Sequence, residues 1–214
     1  MNDSLLVCEL FKSIQGESSH AGRLCTFIRL SGCNLFCSYC DTSYARYGGQ
    51  LMTFKTLLDE VDGFSCDLVE ITGGEPLLQQ GTPAFVRELL IRGKTVLVET
   101  NGSLDIGRLP DGCVRIVDVK CPSSGEAHSF LERNIALLHF GDEVKFVIAS
   151  KDDFDWATAF ISRYPALRGL TVLFSPVTGK LTPADLAQWI IDGNAPVRMQ
   201  LQLHKIIWGG KRGV

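Results

Sequence analysis

Three cysteines, Cys33, Cys37 and Cys40, fall within eight residues of the stretch GCNLFCSYCDT, Gly32 to Thr42. Thiols packed so tightly are metal ligands, and a centre that only has to be held takes four protein ligands. Three leave one position open, which is what a reactive metal needs. A four-iron cluster on three thiolates exposes one iron to a non-protein ligand. The alternative is a three-cysteine zinc site completed by one of the four distant histidines. Cys8, Cys25, Cys66, Cys113 and Cys121 are dispersed along the chain and read as small buried hydrophobes.

A second cluster of chemistry follows the apolar run LVEIT, where Gly73-Gly74-Glu75-Pro76 combines two glycines that admit a ligand close to the backbone with a carboxylate suited to an ammonium. Alone it could be a tight turn. Polar segments of the same kind follow other apolar runs: Glu99-Thr100-Asn101-Gly102, Asp118 to Ser124 with Lys120 and Ser123, and Ser175.

These loops need elements to hold them. Short β-branched runs alternate with segments of helical period, the pattern of βα units around a parallel sheet. Strands are predicted at Cys25–Leu30, Leu68–Thr72, Thr95–Thr100, Arg115–Val119, Val144–Ile148 and Thr171–Phe174. Helices are predicted at Phe54–Val61, Pro83–Arg92, Leu131–Leu138, Asp155–Arg163 and Pro183–Ile191, with Thr82 and Thr182 as capping hydroxyls before prolines. A parallel sheet gathers its loops at the C-terminal strand ends, so every polar segment above shares one rim. In the tail, Met199 to His204 alternates in period two and predicts a strand with Gln200, Gln202 and His204 on one face, covering the open side of the barrel. Residues 22–24 and 44–51 carry no legible chemistry.

The chain has 214 residues, 45% hydrophobic, and a formal net charge of -3, which fits one domain acting on a small molecule rather than a nucleic-acid backbone. The first residues lack the basic and apolar regions of a signal peptide, and no stretch spans a membrane, so a cytoplasmic protein is expected.

The C-x3-C-x2-C spacing and GGEP resemble the radical S-adenosylmethionine (SAM) superfamily. Within it, SIQGE (Ser13–Glu17), FIRL (Phe27–Leu30), CDT (Cys40–Thr42), ITGGEP (Ile71–Pro76) and QLHK (Gln202–Lys205) resemble the 7-carboxy-7-deazaguanine synthase family across almost the whole chain. That resemblance implies an α/β fold, an incomplete, open radical SAM β/α barrel of about six parallel strands with shortened helices, forming one domain over 1–214. It implies a lyase that contracts 6-carboxy-5,6,7,8-tetrahydropterin to 7-carboxy-7-deazaguanine with loss of ammonia, on the way to queuosine-type 7-deazapurines. The implied cofactors are a [4Fe-4S] cluster on Cys33, Cys37 and Cys40, SAM, and Mg2+ held by Thr42. SAM contacts carry over to Tyr39, Cys40, Asp41, Gly73, Gly74, Glu75, Thr100, Asn101, Lys120, Ser123 and Ser175. Substrate contacts carry over to Ile14, Gln15, Gly16, Glu17, Arg29, Thr72, His204 and the Val214 carboxylate. A homodimer and an electron donor such as flavodoxin are also implied, with no membrane or nucleic-acid partner. A glycyl-radical-enzyme activase shares the cysteine spacing but leaves SIQGE and QLHK unexplained, and an iron-sulfur or zinc binding module leaves GGEP without a use.

Overall fold

The computed structural model describes residues 3–214. Six strands run parallel in the order of the chain: β2 (Leu24–Leu30), β4 (Leu68–Gly73), β5 (Thr95–Thr100), β6 (Val114–Asp118), β7 (Glu143–Ile148) and β8 (Thr171–Pro176). They match the predicted strands to within two residues. Each is buried on both faces, which is why each reads as a nearly continuous apolar run. The sheet extends beyond them through β1 (Ser4–Ile14) and β3 (Gln50–Thr53), both antiparallel to their neighbours, and ends at the two-residue β9 (Arg198–Met199).

The β1 strand carries a bulge between Val7 and Glu9 that reverses its faces. Before it, Leu5 and Val7 point into the main core; after it, Phe11 points into the barrel lumen and stacks on Phe27 at 5.1 Å. The bulge therefore sets Glu9 opposite Arg29.

Helices α1 (Phe54–Phe64), α2 (Thr82–Ile91), α3 (Lys151–Arg163) and α4 (Pro183–Asp192) cover the outer face of the sheet. Their apolar stripes, among them Leu57, Phe85, Leu89, Phe154 and Leu186, bury Ile28, Val69, Val98, Phe146 and Phe174. Thr182 caps α4 through the Asp185 amide at 3.1 Å, as predicted. Thr82 does not cap α2: its hydroxyl donates to Pro76 O at 2.7 Å, and Gly81 occupies the cap position. The helix predicted at Leu131–Leu138 is a 3-10 segment, Glu132–Leu137, pinned at its centre by the Asn134 amide, which donates to Gly102 O and Leu104 O.

The predicted tail strand is also shorter than its pattern. Gln200 N makes a last backbone bond to Phe174 O, then Leu203 N turns to Gly16 O and the chain enters a short helix, α5 (Leu203–Trp208). The tail still lies across the open side. Among the described residues no helix is long and apolar enough to cross a membrane.

The lumen is layered. Cys25, Phe27, Leu68, Leu97 and Ile116 fill its bottom. Two residues further along these strands stand Arg29, Glu70, Glu99 and Asp118, joined by Lys145 from β7. An apolar plug thus floors a ring of charge.

Candidate active site

Above that floor the strand ends open on a cavity of about 620 Å³. Cys33, Cys37 and Cys40 stand in its wall with Ile14, Gln15, Gly16, Glu17, Arg29, Thr72, His204 and Val214. Tyr39, Asp41, Thr42, Gly73, Gly74, Thr100, Asn101 and Lys120 also line it. Most residues singled out from the sequence therefore meet in one place.

The cysteine loop is tied to its neighbours. Gly32 O accepts from Glu75 N at 2.8 Å, Phe36 N donates to Glu126 at 2.7 Å, and Ser38 N donates to Ser124 O at 2.9 Å. A side chain at Gly74 would overlap Gly32 O and reach 2.8 Å from Cys33 Cβ, so only glycine lets the two loops close. Burial pushes the Cys33 and Cys37 thiols up; the Lys120 ammonium draws Cys37 back down. Among the described residues no three His, Cys, Asp or Glu side chains converge on a point one ion could occupy. Zinc ligands must all reach about 2.3 Å from one centre. Three thiols in one cavity wall fit a cluster, where each binds a different iron.

Three expected SAM contacts lie outside the cavity wall. Glu75 is fully buried, and its carboxylate is spent on the protein, accepting from Leu77 N at 3.0 Å, Thr100 Oγ1 at 2.8 Å and Asn101 N at 2.8 Å. It ties the GGEP turn to the loop after β5. Ser123 faces α3, with its amide on Asp153 at 2.9 Å. Ser175 is fully buried below the rim, its hydroxyl without a partner among the described residues. The remaining set fits SAM: Gly73 at φ +143 has no room for a side chain beside Leu30 O, so bare backbone faces the cavity. Among the described residues Asp118 Oδ1 is a buried acceptor on that wall with no partner, while its other oxygen takes Lys120 at 2.7 Å.

Arg29 reaches the cavity with its guanidinium already oriented. Its Nε donates to Glu9 at 2.9 Å, and Tyr44 donates to the same oxygen at 2.9 Å, which leaves the two terminal nitrogens as a fork for a ligand carboxylate. Arg212 of the tail lies 3.8 Å over the Tyr44 ring. Thr42 precedes a 3-10 turn but makes no side-chain cap; its hydroxyl lies 3.8 Å from Cys40 Sγ, a contact in which either can donate. Its hydroxyl is therefore available to a hard cation, as a simple turn cap would not be.

Glu17 is an anchor for the tail. Gln202 donates to it at 2.8 Å, Gln200 at 3.3 Å and Lys145 at 2.9 Å. Burial would raise its carboxyl, but the Lys145 ammonium and the Gln202 hydrogen bond hold it down at about 2. Lys145 also pairs with Glu99 and lies 3.7 Å from Asp118. His204 packs on Gly16, where a side chain would overlap its Nδ1, and burial pushes its imidazole down toward the neutral form.

Glu9, Tyr44, Glu70, Lys145, Lys205 and Arg212 were not singled out in the sequence. For Glu70 and Lys145 a signal exists: each is a charge inside a largely apolar strand that is buried on both faces. Lys205 pairs with Asp41 at 2.6 Å and draws its carboxyl down against the effect of burial, binding the tail to the cysteine loop.

Residues 27–123 match the Radical SAM superfamily. The chain is similar to a 7-carboxy-7-deazaguanine synthase of Chlorobaculum tepidum, 44% identical over 98% of this chain and 97% of that one. It is 39% identical to one of Thermoplasma acidophilum, over 98% of this chain and all of the relative. Among solved structures, QueE from Escherichia coli superposes with a TM-score of 0.78 at 21% identity, covering 93% of this chain and 94% of that one. Streptococcus suis SuiB bound to S-adenosylmethionine gives a TM-score of 0.55 at 14% identity, over 79% of this chain and 48% of SuiB. The two superpositions establish the open barrel, and the curated relatives carry the family.

Proposed function

The chain belongs to the 7-carboxy-7-deazaguanine synthase family of radical SAM enzymes, and from this we propose how its own residues divide the work. The reaction is contraction of 6-carboxy-5,6,7,8-tetrahydropterin to 7-carboxy-7-deazaguanine with loss of ammonia, by 1–214 acting as one domain. The observation that carries the reading is the cavity itself, which sets an oriented guanidinium and three thiols in one wall.

Bound there, a [4Fe-4S] cluster with SAM supplies a 5'-deoxyadenosyl radical for hydrogen abstraction at C6 of the pterin. Cys33, Cys37 and Cys40 would hold that cluster. The backbone of Gly73 and Gly74, with Thr100, Asn101, Lys120 and Asp118, holds SAM, and Glu75 acts on it only by fixing those loops. Arg29 forks onto the substrate carboxylate with its terminal nitrogens while Glu9 fixes its Nε. Thr42 offers its hydroxyl to Mg2+, a cation that keeps several waters and so needs few protein ligands. Gly16, Thr72, His204 and the tail to Val214 close around the bicycle and exclude water. The protein is cytoplasmic, forms a homodimer and takes its electron from a carrier such as flavodoxin.

Turnover against magnesium concentration tests the arrangement. Thr42→Ala should keep cluster and SAM binding yet lose most of its rate and its magnesium response, whereas Thr42→Ser should keep much of both. A parental magnesium response in Thr42→Ala would place the cation elsewhere.

A further inference from the structure

Glu70 is the acid of the lumen for which the cavity description has no use. It is 4% exposed, it stands in the cavity wall, and among the described residues its carboxyl has one hydrogen bond, to Oε2 from Gln15 Nε2. Its neighbours are committed elsewhere. Lys145 serves Glu17 and Glu99, with Asp118 beyond; Lys120 serves Asp118; Arg29 gives its Nε to Glu9. Among the described residues no Lys or Arg pairs with Glu70.

Gln15 is equally constrained. Its Oε1 accepts from Glu17 N at 3.0 Å, which fixes the amide so that Nε2 faces Glu70. Its backbone is closed within the hairpin, with N donating to Arg23 O and O accepting from Gly22 N, both at 2.8 Å. One Nε2 hydrogen is thus used on Glu70 and the other is free. An acid buried beside Glu99 and Glu17 with no cation of its own keeps its proton. Burial first, then Glu99, pushes Glu70 well above the usual carboxylate range.

We propose that the Glu70 carboxylic acid and the Gln15 amide form a paired hydrogen-bond donor at the cavity floor that reads the ring carbonyl of the bicyclic substrate. Glu70 is then a specificity-determining residue, because a substrate with an amine in place of that carbonyl would set donor against donor. The inference rests on the reading of this cavity as the pterin site, and its test separates the two.

Anaerobically reconstituted holoenzyme is titrated with 6-carboxypterin, a non-reacting relative of the substrate, and with 2,4-diaminopteridine-6-carboxylic acid, which carries an amine in place of the carbonyl and a bare N3 in place of N3–H. Quenching of the ligands' own fluorescence reads both affinities without turnover. The wild type should prefer the carbonyl ligand by roughly 100-fold or more, since a buried hydrogen-bonding site left unmatched rejects strongly. In Glu70→Leu, which offers the ligand no donor, that preference should fall by at least about tenfold with iron content unchanged, whereas Glu70→Gln, whose oxygen takes the Gln15 Nε2 and whose NH2 then faces the ligand, should keep most of it. Equal affinity for the two ligands, or preference for the diamine, in the wild type overturns the assignment without recourse to any variant. Undiminished discrimination in Glu70→Leu, or its loss in Glu70→Gln, also overturns it, leaving Glu70 as a mere support for Gln15. Arg29→Ala should weaken both ligands alike; if it weakens neither, the pterin site itself is misplaced and the Glu70 assignment falls with it. If Arg29→Ala weakens both but the discrimination arm fails, only the Glu70 assignment is lost.

Discussion

Replacing Lys145 by methionine removes the cation from the middle of the lumen while keeping an unbranched chain of similar length. Lys145 is 5% exposed in its side chain, and it pairs with Glu17 at 2.9 Å and with Glu99, with Asp118 at 3.7 Å. Asp118 retains Lys120, so the change strands two carboxylates, Glu17 and Glu99. Breaking a buried pair by removing one partner costs about 3–5 kcal/mol, and two lost charge-assisted bonds at roughly 1.5–3 kcal/mol each lead to the same range. Glu99 keeps some solvent, with 23% of its side chain exposed, so the lower end applies, about 3–4 kcal/mol. Against a total of about 5–15 kcal/mol this is a large share, and it should lower Tm by roughly 6–16 °C. The pH dependence follows from Glu17. Its folded pKa, held at about 2, lies below its ordinary 4.5, so its contribution is present above pH 4.5 and is lost as the pH falls toward 2. In the variant, burial alone raises Glu17, and protonation relieves it. The gap between the two proteins is therefore full at pH 7 and narrows below about pH 5. Anaerobic urea unfolding followed by circular dichroism measures both. A loss under about 1 kcal/mol at pH 7, or a gap that widens in acid, would refute the reasoning.

Glu75→Gln keeps the shape of the side chain but can accept at one oxygen only, opposing its NH2 to the Leu77 or Asn101 amide; about 1–3 kcal/mol of loop stability should go, with SAM affinity reduced and iron content retained. A SAM affinity equal to the parent's would show that these loops hold without it. Gly16→Ala drives a methyl into His204 Nδ1, an overpacking that costs about 1–3 kcal/mol, so KM for the carboxypterin should rise roughly tenfold with the cluster intact. An unaltered KM would mean the tail does not pack on this loop during turnover.

What the sequence made legible was contiguous. The cysteine loop and GGEP each place their groups within a few residues, and the six parallel strands are apolar on both faces, so both show in a linear reading. The β1 strand did not, because the bulge after Val7 breaks its period of two. The charged ring was equally hidden, since Lys145 meets Glu17 across 128 positions and each strand contributes only one charge. A motif also names a residue without saying where it points: GGEP located Glu75, but three neighbouring donors turn its carboxylate away from the cavity. In the tail, alternation placed Gln200 and Gln202 correctly toward one partner, Glu17, though only two residues join the sheet. Tyr44 lay in a segment with no visible chemistry, and its role depends wholly on Glu9 being brought opposite it.

Product analysis bears most directly on the function of the chain. Anaerobically reconstituted protein is supplied with SAM, a one-electron reductant, magnesium and 6-carboxy-5,6,7,8-tetrahydropterin, and 7-carboxy-7-deazaguanine, ammonia and 5'-deoxyadenosine are quantified together. Formation of 7-carboxy-7-deazaguanine with one ammonia each, in excess over the SAM consumed, is the predicted result, and it should disappear in Cys37→Ala. Accumulation of 5'-deoxyadenosine with the pterin recovered unchanged would contradict the assignment.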